Sequence, residues 1–361
     1  MRVNPVAALR PRNTPKPSGK TIVIPFHGGA TNQTINSITY EKQCVVTLAG
    51  PHAATAGGWA NITGVTSLTA INGVWRIVRI ESSTKLRIDL DTSGMSGFAT
   101  GGTFARNGIG DLCGSMLPKK VNGTTTAIWD DRFNGIHWAG DNYITVPAAE
   151  AAVFDLRGFR GRLLIHCALP MVTATAPSAS EFLICLGRFD TASGAGRAGG
   201  TIGLFQTTST GRMRLNVRGS VATDADTPSN PGTAAESNGA VQGDGTNPVR
   251  NYLGVELIFG ASAVTINWYI NGAIDSSSQL AMTGNDWPYP LDTAGGLTIG
   301  CKYGTTGITV GNAMGAAGSG ARTEWLVIHR SEYGAMNSAD VGRFFADSAA
   351  AGGSPNYDLL F

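Results

Sequence analysis

Charge is scarce in this chain. Asp, Glu, Lys and Arg make up 14% of its 361 residues, against roughly 25% in an average soluble domain. Long apolar runs are missing as well: none approaches the ~20 residues that a membrane-crossing helix needs, so no helical membrane insertion is expected. Residues Met1 to Lys20 contain no apolar core of the signal-peptide kind. The five cysteines (Cys44, Cys113, Cys167, Cys185 and Cys301) are few, scattered and odd in number, which argues against a disulfide framework. Three of them sit in strand-like runs, as in Leu163-Leu164-Ile165-His166-Cys167, and read as reduced core thiols of a protein assembled in a reducing cytoplasm. The chain also lacks GxSxG, HExxH and P-loop motifs, which removes the common signatures of hydrolases, zinc proteases and nucleotide-binding enzymes.

Glycine fills part of the gap. It accounts for 49 residues, roughly twice the usual 7%, while the hydrophobic share is an ordinary 42%. Short apolar segments separated by Gly, Asn, Thr and Ser turns imply an all-β protein. Its charge is also unevenly placed. Residues 1–40 carry Arg2, Arg10, Arg12, Lys16 and Lys20 and no acid, together with five of the sixteen prolines. The remaining residues hold 22 bases against 25 acids, a net −3. Proline and like charge keep a segment extended, so residues 1–39 read as a basic docking arm. Aromatics interleaved with the bases would be needed for nucleic-acid binding, and none occurs before Phe26.

From residue 40 to 107 the chain reads as a small β-barrel. Gln43 to Leu48, Gly73 to Ile80 and Lys85 to Leu90 are strand-like; the last alternates strictly, and the second is apolar on both faces. The succession Ile62-Thr63-Gly64-Val65-Thr66, Ile71-Asn72-Gly73-Val74-Trp75, Ser83-Thr84-Lys85-Leu86-Arg87-Ile88 and Gly101-Gly102-Thr103 resembles a barrel module of bacteriophage tail and other virion proteins. That module is also similar to a half-domain of ubiquitin-activating enzymes. The chain departs from the pattern at His52 to Trp59, and the resemblance implies a structural spacer without chemistry of its own.

After a linker at 108–124, residues 125–361 read as a sandwich. The expected strands run Arg162 to Met171, Glu181 to Arg188, Thr201 to Thr207, Arg212 to Arg218, Asn251 to Phe259, Val264 to Asn271, Gly296 to Lys302 and Thr323 to His329. Asn271-Gly272 signals a type I′ hairpin turn. Ser338, Asp340, Val341, Phe344 and Phe345 mark one helix near the end. Asp141 to Pro147, Trp268 to Gly272, Leu297 to Gly300 and Glu324 to Ile328, in that order, resemble concanavalin-like, laminin-G-like jelly rolls. The resemblance implies a carbohydrate or protein ligand on a concave sheet or rim loops, often with calcium.

Candidate sites follow from residue type. Trp287-Pro288-Tyr289-Pro290 offers rigid amphipathic surface for a ligand or a subunit. The polar stretch Ala222 to Pro248 reads as a solvated loop whose Asp224, Asp226 and Asp244 could ligate calcium through hard oxygens. Gly194 to Gly199 matches GxGxxG but leads into a strand, so it reads as a hairpin loop and not a dinucleotide site. Trp129, Trp138 and Trp268 could stack on sugars, although Trp268 fits a strand core better. For glycoside hydrolysis two carboxylates must stand at a set separation; Asp130-Asp131 or Glu256 with Glu324 are the nominees, with nothing to bring either pair together. Three function classes remain: a virion structural protein (tail-associated or capsid-decorating, homo-oligomeric, with a trimer expected), a host-glycan-binding module, and a glycan-degrading enzyme. The first is favoured and a non-enzyme expected, partnered by other virion proteins and located in the virion.

Overall fold

The computed structural model describes residues 21–350 except 27–28, 55, 107, 112–115, 123–127, 131–134, 139, 148–149, 151–155, 157–158, 188–200, 209, 219–233, 248, 282–295, 305–306, 310–313, 315–320 and 333–337. The all-β expectation holds: strands and turns build a closed barrel and a two-sheet sandwich, and one α-helix follows.

The first described strand belongs to the sandwich. Strand β1 (Thr21–Pro25) pairs antiparallel with a strand from the far end of the chain, Thr21 opposite His329 and Pro25 opposite Trp325. Ile22, Ile24 and Phe26 alternate into the core with no exposure, the period-2 pattern of a half-buried strand. Pro25 is tolerated because an edge strand leaves one side of its ladder unused. The expected arm of residues 1–39 therefore ends before Thr21, and Arg2, Arg10, Arg12, Lys16 and Lys20 lie outside the described residues.

The barrel is inserted after β1. It comprises β2 (Gly29–Ile38), β3 (Val45–Leu48), β4 (Trp59–Thr63), β5 (Gly73–Ser82), β6 (Lys85–Ile88) and β7 (Thr103–Arg106), closed in the order β2-β3-β6-β5-β4-β7. Its start thus moves from residue 40 to Gly29. Val46, Leu48, Ile62, Leu86, Ile88 and Phe104 fill the interior. Register shifts in β5 near Val78 and Glu81 explain its two-faced apolar pattern: a bulge re-aims the strand, so Trp75, Ile77 and Ile80 all pack on one core. Asn72 clamps the turn before β5. Its side-chain amide accepts from Val65 N (3.0 Å) and donates to Val65 O (2.9 Å), and Trp75 Nε1 donates to Ile71 O at 2.8 Å.

Residues 108–124 are not a linker. β8 (Gly108–Ile109) pairs with β9 (Lys119–Lys120), and Ile109, Met116 and Val121 enter the sandwich core. Trp59 of the barrel lies over this ribbon, its ring filling the space where a Cβ on Gly110 would stand. A small sheet follows from β10 (Ile128–Asp130) and β11 (Gly135–His137), to which β24 (Arg322–Thr323) later adds.

The sandwich proper uses β12 (Ile144–Val146), β13 (Gly161–Met171), β14 (Glu181–Leu186), β15 (Thr201–Gln206), β16 (Arg212–Arg218), β17 (Ala234–Ala240), β18 (Val249–Phe259), β19 (Ala263–Ile270), β20 (Ala273–Ala281), β21 (Leu297–Ile299) and β25 (Trp325–Glu332). A two-stranded hairpin, β22 (Lys302–Gly304) with β23 (Gly307–Thr309), lies beside it. The back sheet has the order β1-β25-β13-β18-β19-β20 and the front sheet β12-β21-β14-β15-β16-β17. Both are antiparallel, and their facing sides share one apolar core that includes Trp268. Asn271 (φ 51°) and Gly272 (φ 83°) make the expected type I′ turn between β19 and β20. Cys44, Cys167, Cys185 and Cys301 are buried and in no disulfide; Cys44 and Cys167 lie in the barrel and sandwich cores as expected, whereas Cys185 belongs to a cluster apart from them, and Cys113 lies outside the described residues.

Helix α1 (Ser338–Ala350) seals the outer side of the back sheet. Val341, Phe344 and Phe345 pack on Leu164, Ala168, Tyr252, Tyr269, Trp325 and Val327. Gly254 makes this approach possible, since a Cβ there would stand 2.7 Å from the Phe345 ring. His166 is trapped beneath the helix, 1% exposed, edge-on to Trp325, Phe344 and Phe345 with centroids 4.7–5.3 Å away. Its Nδ1 lies 2.7 Å from Leu253 O, and burial lowers its pKa from 6.5 to about 3.

Between those two pH values the unfolded chain binds the proton that the folded chain refuses. The contribution of His166 to stability is therefore complete above about pH 6.5 and falls by about 1.4 kcal/mol per pH unit on acidification toward 3. Urea denaturation of the wild type and His166→Leu at pH 7.5 and 4.5 checks this. The wild type should lose more stability than the variant across that interval; equal losses would contradict it.

Candidate functional site

The two outer faces of the sandwich differ. The back face lies under α1, whereas the front face carries a band of mixed polar and aromatic side chains whose placement follows from one irregularity. β14 shifts register between Phe182 and Ile184, which turns Leu183 and Ile184 both into the core. Phe182 and Cys185, three residues apart, consequently share the outward side and pack with Phe205 and Tyr303 in a cluster separate from the core.

Two rows cross this face in register. In the first, Thr298 stands opposite Cys185, Cys185 opposite Gly203, and Gly203 opposite Asn216. In the second, Phe182 stands opposite Phe205, Phe205 opposite Arg214, and Arg214 opposite Glu236. The Phe182 and Phe205 rings are stacked, with centroids 4.6 Å apart and planes at 23°. Arg214 Nε donates to Glu236 Oε1 at 2.6 Å, and both residues are partly exposed. The rows lie about 7 Å apart by strand rise, and Thr298 to Asn216 spans three strand spacings, about 14 Å.

The first row contains two unmet polar atoms. Thr298 Oγ1 and Asn216 Oδ1 are buried without a hydrogen-bond partner. Between them stand Cys185 and Gly203, the latter without a side chain, and all four residues of the row are buried. At the end of β16, Arg212 is partly exposed on the same side, because Met213, Leu215 and Val217 take the core side of that strand. Sequence reading passed over this face. The alternation in Arg212-Met213-Arg214-Leu215-Asn216-Val217-Arg218 is the signal that could have found it, but the bulge that brings Phe182 and Cys185 to it leaves no mark in the sequence.

The sequence-derived candidates fall elsewhere. Trp287, Tyr289, Asp224, Asp226, Asp131 and the glycine run 194–199 lie outside the described residues. The supposed loop 222–248 contains β17, where Ala235 and Ser237 are buried and Glu236 pairs with Arg214; a polar strand packed through small residues had passed for a loop. Asp244 accepts N–H bonds from Thr246 (2.7 Å) and Asn247, and these bonds, Asn247's foremost, hold its carboxyl below the usual value. Among the described residues no three His, Cys, Asp or Glu side chains gather as a metal group. Trp138 is buried, donates to Thr323 Oγ1 at 2.7 Å and meets Phe26 edge-on.

Of the nominated acids, Glu256 and Glu324 are engaged in ion pairs; the side chains of Asp130 and Asp131 lie outside the described ones. Glu256, wholly buried, accepts from Arg162 Nε (2.8 Å) and Asn267 Nδ2 (2.7 Å). Glu324 accepts from Arg250 at 2.6 Å. Glu256 sits level with Leu164 and Trp325 level with Ala168, so the two carboxylates are separated by about 13 Å or more along the sheet. Glycosidase pairs stand roughly 5–9.5 Å apart.

No family model matches the chain, and no curated protein matches it. Solved structures similar to parts of it include the botulinum neurotoxin type G receptor-binding domain (10% identity, TM-score 0.35, covering 67% of this chain and 48% of that one). The binding domain of botulinum neurotoxin DC in complex with rat synaptotagmin II is similar at 11% identity and TM-score 0.38, covering 67% and 49%. A Ruminococcus gnavus IT-sialidase CBM40 bound to α2,6 sialyllactose gives 11% and 0.35, covering 54% of this chain and 86% of that one. This chain spans about half the length of the toxin domains. Superpositions this loose carry nothing about ligand or activity.

Glu256→Leu removes the carboxylate that the nearly buried Arg162 pairs with and should cost about 3 kcal/mol. Arg250 is more exposed, at 35%, and Glu324→Gln should cost about 1 kcal/mol or less. Urea titrations of both variants measure the contrast; a smaller loss at Glu256 than at Glu324 would refute the structural roles assigned to them.

Proposed function

We propose that this chain is a non-catalytic binding protein that holds a glycan on the outer face of the front sheet. The observation that carries the reading is the pair of unpartnered atoms, Thr298 Oγ1 and Asn216 Oδ1, at the two ends of one row. An unmet buried polar atom costs about 1–3 kcal/mol, and a hydroxyl-rich ligand would remove that cost at both ends. Gly203 adds no side chain between them, the stacked Phe182 and Phe205 offer apolar faces to sugar C–H groups, and the Arg214–Glu236 pair presents donors and acceptors to adjacent hydroxyls. Because Tyr303 packs on those rings, entry of a sugar requires the β22–β23 hairpin to lift. The engaged, widely separated carboxylates support binding without cleavage.

The setting we propose for this activity is a bacteriophage virion protein, tail-associated or capsid-decorating and homo-oligomeric. It is supported by the resemblance of the barrel module, by the basic segment that precedes β1, and by a charge content too low to keep copies apart by repulsion. Immunogold labelling of intact particles tests the setting: gold at the head or tail is expected, and label confined to the particle-free fraction would overturn it.

Binding is tested with an oligosaccharide array and two near-isosteric variants. Thr298→Val and Asn216→Leu delete unpartnered atoms, so each should leave stability unchanged or raised by about 1 kcal/mol while lowering glycan binding at least tenfold. An array with no bound member, or variants that bind as the wild type does, would sink the reading.

A further inference from the structure

Which glycan this face would take is narrowed by its charges. Among the described side chains on the outward side of β16 and β17 the ionic groups are Arg212, Arg214 and Glu236, with Asp275 of the neighbouring β20 reaching the β17 backbone; Arg218 ends β16 beyond Asn216, and its side chain lies outside the described ones. Glu236 is spent on Arg214. Asp275 is spent on the backbone N–H groups of Asn238 (2.6 Å) and Gly239 (2.9 Å), which stitch the front sheet to the back sheet. Among the described residues Arg212 has no acid within ion-pair distance and no hydrogen-bond partner for its guanidinium, yet it is only partly exposed.

Its position relative to the unmet atoms is fixed by the strand. Arg212, Arg214 and Asn216 lie on one side of β16 at two-residue intervals, so Arg212 stands about 13 Å from Asn216, with Arg214 midway. The paired Arg214–Glu236 is neutral as a unit, which leaves Arg212 as the uncompensated charge among the described side chains of this part of the face.

We propose that the face selects an anionic oligosaccharide longer than one sugar ring, whose carboxylate or sulfate is received by the Arg212 guanidinium while the rest of the chain lies along the Asn216–Gly203–Thr298 row. The planar guanidinium suits either anion, because it offers paired N–H donors in a fixed fork. This inference rests on the glycan-binding reading of the same face and adds the charge and polarity of the ligand to it.

The test uses a panel of oligosaccharides in matched twins: each carboxylated member beside its methyl ester, and each sulfated member beside its desulfated form. The full chain should bind at least one acidic member ten times or more tighter than its neutral twin, and raising salt should narrow that ratio. Arg212→Gln should bring the ratio to about one while residual affinity for the neutral twin stays as in the wild type; Arg212→Lys should keep part of it. Both variants are expected to fold, since Arg212 makes no described side-chain contact. Equal binding of acidic and neutral twins by the wild type would overturn the anion inference and leave glycan binding standing. A ratio that persists in Arg212→Gln would overturn the role of Arg212. A panel with no bound member would overturn both.

Discussion

Everything in the sandwich depends on a strand borrowed from the other end of the chain. β1 closes the edge of the back sheet against β25, with Thr21 Oγ1 held to His329 Nδ1 at 2.8 Å, across a sequence separation of 308 residues. Ile22, Ile24 and Phe26 would be solvent-exposed in a free arm; paired, they complete the core. The barrel is consequently an insertion within the sandwich. A contact of such range forms only after most of the chain has been made, and its loop-closure entropy has to be met by the apolar burial that β1 brings.

That closure leaves the two outer faces with different fates. The back face is completed by α1, where Gly254 admits Phe345 and His166 is held neutral among three aromatic rings. Its ionic groups are matched: Glu256 with Arg162 and Asn267, Glu324 with Arg250. The first row of the front face is also buried, but two of its polar atoms have no hydrogen-bond partner. Unmet buried polar atoms occur on both sides, His166 Nε2 and Trp325 Nε1 under the helix and Thr298 Oγ1 and Asn216 Oδ1 in the front row; the front-row pair is the one that the glycan reading would satisfy.

Much of the fold was legible because it rests on local pattern. Arg212 to Arg218 alternates strictly, and the strand has those bounds; Asn271-Gly272 forms the turn its residue types require. The helix near the end follows from the Val341, Phe344, Phe345 stripe. What escaped depends on partners far away in sequence. Thr21 to Phe26 was absorbed into a basic, proline-rich segment because nothing nearby announces β25 as its partner. Ala234 to Ala240 carries almost no hydrophobic signal and is a strand only because β16 supplies its ladder. The front-face site was illegible for a further reason: Phe182, Cys185, Thr298 and Asn216 come from four strands, and only the bulge in β14 puts them on one side.

A ligand-bound crystal structure of the chain, grown with the tightest saccharide from the binding panel, examines the central claim at atomic level. Saccharide oxygens should lie within about 3.2 Å of both Thr298 Oγ1 and Asn216 Oδ1, with a sugar ring over Gly203. A saccharide bound elsewhere, with those two atoms bridged by ordered water, would contradict the account.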